Sequence, residues 1–108
     1  MDFSFQLLHP VYDILNDEVD VIVKIHSSQE EYHVTFMTYQ RAQEIFKAQP
    51  FSIFSTTVFV QQLTEQEMEN ALQQVMNTQE ASFIFYPLNE QSRIALFRKL
   101  EREKSGHQ

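Results

Sequence analysis

The apolar residues of this chain repeat with two periods, and the shorter one comes first. From Glu18 to His26, Val19, Val21, Val23 and Ile25 alternate with Glu18, Asp20, Lys24 and His26, Ile22 being the apolar exception. That is the pattern of a half-buried strand. After the polar stretch Ser27-Ser28-Gln29-Glu30, the alternation resumes at Tyr32, Val34 and Phe36, so the two runs read as a hairpin. Closing it through that four-residue loop sets Ile25 opposite Tyr32, Val23 opposite Val34 and Val21 opposite Phe36, with His26 facing Glu31 and Lys24 facing His33. Apolar residues then meet on one face, and a slip by one residue would lose the match. Residues 3–8, with Phe3, Phe5 and Leu7 alternating with Ser4 and Gln6, predict a shorter strand. His9-Pro10 interrupts it, because proline lacks an amide donor and restricts its predecessor. Val11 to Leu15 fits a helical turn and a strand equally well.

The longer period marks helices. Thr64 stands three residues before Glu67, the spacing of a capping box, and Leu63 and Met68 are placed as a hydrophobic staple. Met68, Ala71, Leu72, Val75 and Met76 then form one apolar stripe over a helix at 64–77. Thr38 is positioned to cap a helix carrying Tyr39, Ala42, Ile45 and Phe46, which must end before Pro50. Asn89 can cap a last helix with Ile94, Phe97 and Leu100 inward and Arg98, Glu101 and Arg102 outward. The alternative there is a hairpin return from Leu88 through Asn89-Glu90-Gln91-Ser92. Phe51–Val60 and Ser82–Tyr86 are apolar on both faces, the composition of strands inside a sheet. Their second face calls for cover by the C-terminal helix or by another subunit. The expectation is an α+β fold: one mainly antiparallel sheet of four to five strands, with two to three helices packed largely on one face. It forms a single domain over residues 1–104, followed by a disordered tail at 105–108.

Composition narrows the function more than it names it. The 108 residues carry a formal charge of −7, which disfavours a phosphate backbone as partner and favours basic ones. There is no cysteine, which rules out disulfides, thiolate catalysis and Cys-ligated zinc. The single glycine is Gly106, so no P-loop, dinucleotide-binding turn or G-x-S-x-G elbow is available. Neither a leader pattern at Met1-Asp2-Phe3 nor an apolar run long enough to span a bilayer is present, so a cytoplasmic protein without membrane association is expected.

Candidate chemistry is sparse. In the register above, His26, Glu31 and His33 share one face near the hairpin loop, the residue types of a facial metal triad or a His-carboxylate acid/base pair. A solvated hairpin tip explains the same residues, and Lys24 beside His33 opposes a dication. Asp13, Asp17, Glu18 and Asp20 lack the spacing and glycine of a calcium loop. Glu65, Glu67 and Glu69 suit the positive end of a helix dipole. Ser52, Ser55, Thr56 and Thr57 have no histidine in a defined relation to them. Phe51, Phe54, Phe59, Phe83, Phe85 and Tyr86 resemble a base-stacking platform only in part, having no interleaved cation. Arg93 to Lys104 is a basic amphipathic segment interrupted by Glu101 and Glu103.

No catalytic residue and no cofactor is therefore expected. The reading is a small acidic cytoplasmic protein-binding domain of the adaptor, regulator or inhibitor type, which also self-associates as a homodimer. Neutralising a basic protein, as immunity proteins and antitoxins do, is one form of that role. The alternative is a small enzyme or a ligand- or metal-binding domain using the hairpin histidines.

Overall fold

The structure is a computed structural model and describes residues 2–51, 54–78 and 84–106, with Glu101 the only side chain described beyond Arg98. Its elements are β1 (Phe3–Leu7), β2 (Glu18–Ile25), β3 (Glu30–Thr38), α1 (Tyr39–Ala48), β4 (Thr57–Val60), α2 (Glu65–Met76), β5 (Tyr86–Pro87) and α3 (Glu90–Gly106). β1, β2 and β3 form an antiparallel meander, and β3 is the hub of the sheet. On its far side, β4 runs parallel to Thr35–Thr38, while β5 pairs antiparallel with Tyr32 and His33. Among the described residues the fold is thus α+β, with a five-stranded, mainly antiparallel sheet and the three helices α1, α2 and α3, as expected. Helical backbone carries through Gly106, past the expected boundary at 104; of the tail, 107 and 108 lie outside the described residues.

The hairpin register differs from the expected one by two residues. Ile25 lies opposite Glu30, Val23 opposite Tyr32, Val21 opposite Val34 and Val19 opposite Phe36. A shift of two keeps every side chain on its face, so the hydrophobic pattern satisfies either register equally. The turn decides between them. It takes His26–Gln29 instead of 27–30, Gln29 adopting φ 60° and its side-chain amide donating to the His26 carbonyl at 2.9 Å. His26 and Ser27 donate their backbone amides to Asp2, which ties the turn to β1.

The only glycine is at 106, and among the described residues two others, Gln29 and Thr56, take left-handed backbone, at φ 60° and 51°. A β-branched residue pays about 1–2 kcal/mol there. Thr56→Gly is expected to raise stability by about 0.5–1 kcal/mol, after the added flexibility of the unfolded chain is subtracted, and Gln29→Gly by less. Urea unfolding measures both, and an unchanged or lowered midpoint for Thr56→Gly would refute strain at that site.

The core lies on one face of the sheet. Val19, Val21, Val23, Val34 and Phe36 are wholly buried there, with Phe3 and Tyr32, against Leu63, Met68, Leu72 and Val75 of α2 and its approach. Thr64 caps α2 as expected, its hydroxyl accepting from the Glu67 amide at 3.2 Å. The reciprocal half of the capping box is redirected, because the Glu67 carboxylate accepts from the Gln62 amide at 3.1 Å.

The two strands expected inside the sheet are short edge segments. Of Phe51–Val60 only β4 is strand, and it pairs with β3 alone among the described residues; 52 and 53 lie outside them. Of Ser82–Tyr86, residues 82 and 83 lie outside, and β5 is two residues long. On the second face of β4, α1 and the segment before the strand supply aromatic contacts. Phe59, in register with Met37, packs edge-on to Phe54 and stacks on Tyr39 at the start of α1, and Phe54 in turn meets Phe46. This arrangement leaves Tyr39 and Phe46 about half exposed, while Ala42 is the helix's buried contact.

α3 is capped by Asn89, whose side-chain oxygen accepts from the Ser92 amide at 2.9 Å. Its inward face is not the expected one: Ser92 is buried and Leu96 packs on the core, whereas Ile94 and Phe97 are exposed. Ser92 is drawn in because its hydroxyl accepts from the Glu31 amide at 2.7 Å, which rotates the apolar pair outward. Arg98 and Glu101 point to solvent, as expected; the side chains of Leu100 and Arg102 lie outside the described residues.

Candidate functional site

The His26–Glu31–His33 constellation does not assemble. Moving the register by two places Glu31 opposite Lys24 and His33 opposite Ile22, and sends His26 into the exposed turn. His26 and His33 are then about four strand residues, or about 13 Å, apart. His33 instead approaches Asp20, its Nε2 3.3 Å from Oδ1, which also accepts from the Thr35 hydroxyl at 2.7 Å. His9 stands on the other side of the same carboxylate, 3.6 Å from Oδ2. The Asp20 amide donates to His9 Nε2 at 3.2 Å, so that nitrogen is an acceptor and the ring proton sits on Nδ1, 3.3 Å from the Pro10 carbonyl. Among the described residues, no group of three or more His, Asp or Glu is placed to hold a metal ion. Asp20 and His33 are diagonal neighbours only in the true register, so the pairing was hidden from a reading built on the other. Beside it, the polar face of the sheet forms an open concavity of about 490 Å³, lined by Ser4, Gln6, Ile22, Lys24 and Glu31 among others.

The remaining acidic candidates are structural. Glu18 pairs with Arg41 at 3.7 Å, Glu67 holds the Gln62 amide, and Glu65 and Glu69 lie along the start of α2. Thr57 donates its hydroxyl to the Ser55 carbonyl, and Ser52 lies outside the described residues. The aromatics form no common platform. Phe85 is buried against Tyr32 with centroids 4.9 Å apart, Tyr86 and Phe51 are exposed, and Phe83 lies outside the described residues. The Tyr32 hydroxyl is held protonated well above the usual range, by burial first and by its hydrogen bond to the Glu30 carboxylate second.

The most deliberately built surface feature is the connection between β1 and β2, which the sequence left ambiguous. Its backbone is fastened at four points. Leu8 donates to the Asp20 carbonyl, Leu63 donates to the Ile14 carbonyl, Thr38 donates to the Asp17 carbonyl, and Asp17 donates to the Thr38 hydroxyl, at 2.8 to 3.2 Å. Inside the loop, Asp17 accepts from the Tyr12 and Glu18 amides at 2.9 and 2.8 Å, and Asp13 accepts from the Leu15 amide at 2.9 Å. Val11 packs against the core, yet the loop's other apolar side chains face water: Tyr12 is 86% exposed, and Leu8, Ile14 and Leu15 are about half exposed. Asp13 and Asp17 belong to the same loop, and Asn16 donates its side-chain amide to the Glu44 carboxylate at 2.9 Å. Arg41 is shared between Glu18 and Glu44.

The Tyr12 amide beside Asp17 holds its carboxyl below the ordinary 3.8, and the Glu18 and Asp13 backbone groups add to this against a partial desolvation. A carboxyl whose folded-state pKa is lowered stabilises the fold above its unfolded value, and that contribution is lost as pH falls through the folded value. Acidification below about pH 4 is therefore expected to loosen this loop first. Asp17→Asn should flatten the dependence of stability on pH in that range, as followed by urea unfolding at pH 5, 4 and 3. An unchanged slope would remove Asp17 as a contributor.

Comparisons of the chain with protein-family models, with curated proteins and with solved structures find no match.

Proposed function

We propose that this chain is a small acidic protein-binding module of the cytoplasm, working as an adaptor, regulator or inhibitor, and that residues 8–17 are its docking loop. One observation carries the reading: a loop with its backbone fastened to β2, β3 and the approach to α2 holds Tyr12, Ile14 and Leu15 out in water, and the same loop carries Asp13 and Asp17, the acidic part of its rim. Single exposed apolar residues are ordinary. A rigid group of them is a preorganised anchor, since little freedom remains to be lost on binding. The rim selects the partner, which would present an apolar pocket bordered by Lys and Arg and be steered in by the −7 charge. Inhibition of a basic protein, in the manner of an immunity protein or antitoxin, uses the same surface.

Capture of the tagged protein's partners from host lysate tests this, with washes at about 50 and 300 mM salt, between which surface attraction is strongly screened. A basic protein is expected in stoichiometric amount, released at the higher salt, and retained at least about tenfold less well by Tyr12→Ala. Folding of that variant should be unaffected, because the ring is 86% exposed. A partner indifferent to both salt and Tyr12→Ala would overturn the assignment of this loop. A second reading, small-ligand binding, is favoured by the concavity near His33 and Asp20. Its test is a thermal-shift screen of polar metabolites against wild type and His33→Ala.

A further inference from the structure

Independently of the docking loop, β1 ends the sheet with an edge that carries none of the usual guards. Natural edge strands discourage pairing with charge, proline or a bulge. Phe3-Ser4-Phe5-Gln6-Leu7 has no charge and no proline, and its register with β2 is unbroken from Phe3–Ile25 to Leu7–Val21. On the opposite side of the sheet, β5 has Pro87, which lacks a donor.

Which groups are free follows from the ends of the β1–β2 ladder. His26 donates to the Asp2 carbonyl and Leu8 donates to the Asp20 carbonyl, both at 2.8 Å. In an antiparallel pair the hydrogen-bonded positions alternate, so the even residues of β1 face β2, and the N–H and C=O groups of Phe3, Phe5 and Leu7 point outward. Among the described residues nothing is bonded to them.

We propose that this edge pairs with the same edge of a second copy, antiparallel about a two-fold axis through Phe5. The strand is self-complementary in that register alone over its full length. Phe5 meets Phe5 of the other copy, Phe3 meets Leu7, and Ser4 meets Gln6. All three outward-facing residues are then hydrogen-bonded positions, giving about six backbone hydrogen bonds across the axis. Apolar side chains pair with apolar ones on the core face, where Phe5 is half-buried and Leu7 36% exposed in the single chain. The exposed Ser4 and Gln6 pair on the other face. Because each copy carries −7, association strengthens with added salt, opposite in sign to the binding of a basic partner.

Ser4 and Gln6 of opposite copies occupy a non-hydrogen-bonded pair, in which side chains approach closely, so charge there reads the register. Sedimentation at about 10–100 µM protein is expected to show a concentration-dependent dimer of the wild type. S4E/Q6E, which opposes like charges twice, should weaken it about tenfold; S4E/Q6K, which opposes unlike charges, should tighten it. Q40E/Q74E adds the same two negative charges at exposed helix positions away from the edge and should leave it within about twofold. Circular dichroism confirms that all variants fold. A wild type that stays monomeric at 100 µM, or a dimer weakened equally by S4E/Q6E and Q40E/Q74E, would overturn the proposal. So would a dimer that S4E/Q6K fails to tighten.

Discussion

Phe36→Ala is expected to cost about 3–5 kcal/mol, the loss typical of removing a phenyl ring from a close-packed interior. Among the described residues Phe36 is the largest side chain with no exposed surface, and it lies opposite Val19 on β2 and in register with Val58 on β4. The ring thus fills the space where three strands and α2 converge, and neither a strand nor the helix can close over the gap without breaking its own ladder. For a domain with a total stability of about 5–15 kcal/mol, this is a large part of the whole. Urea unfolding should show the midpoint falling while the slope stays constant. Phe36→Leu, which keeps most of the volume, should cost under about 1.5 kcal/mol. A loss below about 1 kcal/mol for the alanine variant would mean that the centre of the core lies elsewhere.

Thr38→Val should cost about 2–4 kcal/mol although it preserves shape. The Thr38 hydroxyl, wholly buried, accepts from the Arg41 amide and from the Asp17 amide, each at 3.2 Å. Loss of the helix cap accounts for about 1 kcal/mol, and the Asp17 donor left without its acceptor adds about 1–3 kcal/mol. The damage should be uneven. Amide exchange is expected to rise at the first turn of α1 and across the loop at 8–17, and to stay slow in β2. Thr38→Ser, which keeps the hydroxyl, should recover most of the stability. If serine and valine behave alike, the methyl group and not the hydroxyl holds this joint. Because Thr38 also anchors the loop that presents Tyr12, Thr38→Val should weaken partner capture as well as folding, whereas Tyr12→Ala should weaken capture alone.

Much of the fold was legible because it rests on near neighbours in the chain. The alternation at Val19–Ile25 and Tyr32–Phe36, the Thr38 and Thr64 caps and the Asn89 cap each concern groups a few residues apart, and each forms as expected. Where the reading departed from the structure, a distant contact had intervened. Ser92 turned inward to satisfy the Glu31 amide, which placed Ile94 and Phe97 in solvent. Tyr39 and Phe54 closed on Phe59, so α1 and the segment before β4 supplied aromatic contacts on its second face. The histidine site failed for a related reason. A two-residue shift leaves the faces unchanged, yet it takes His26 away from His33 and brings Asp20 to it, with His9 on the carboxylate's other side.

The kinds of element, the buried face of each central strand, and the acidic, cysteine-free and nearly glycine-free chemistry can all be read along the chain. These depend on side-chain identity and on periods of two or 3.6 residues, both written along the chain. The hairpin register, the partner of His33, the fastening of the loop bearing Tyr12 and the open edge of β1 came from the folded arrangement. Each of those turns on where a backbone amide or carbonyl finds its partner, and that partner is supplied by packing between segments far apart in sequence.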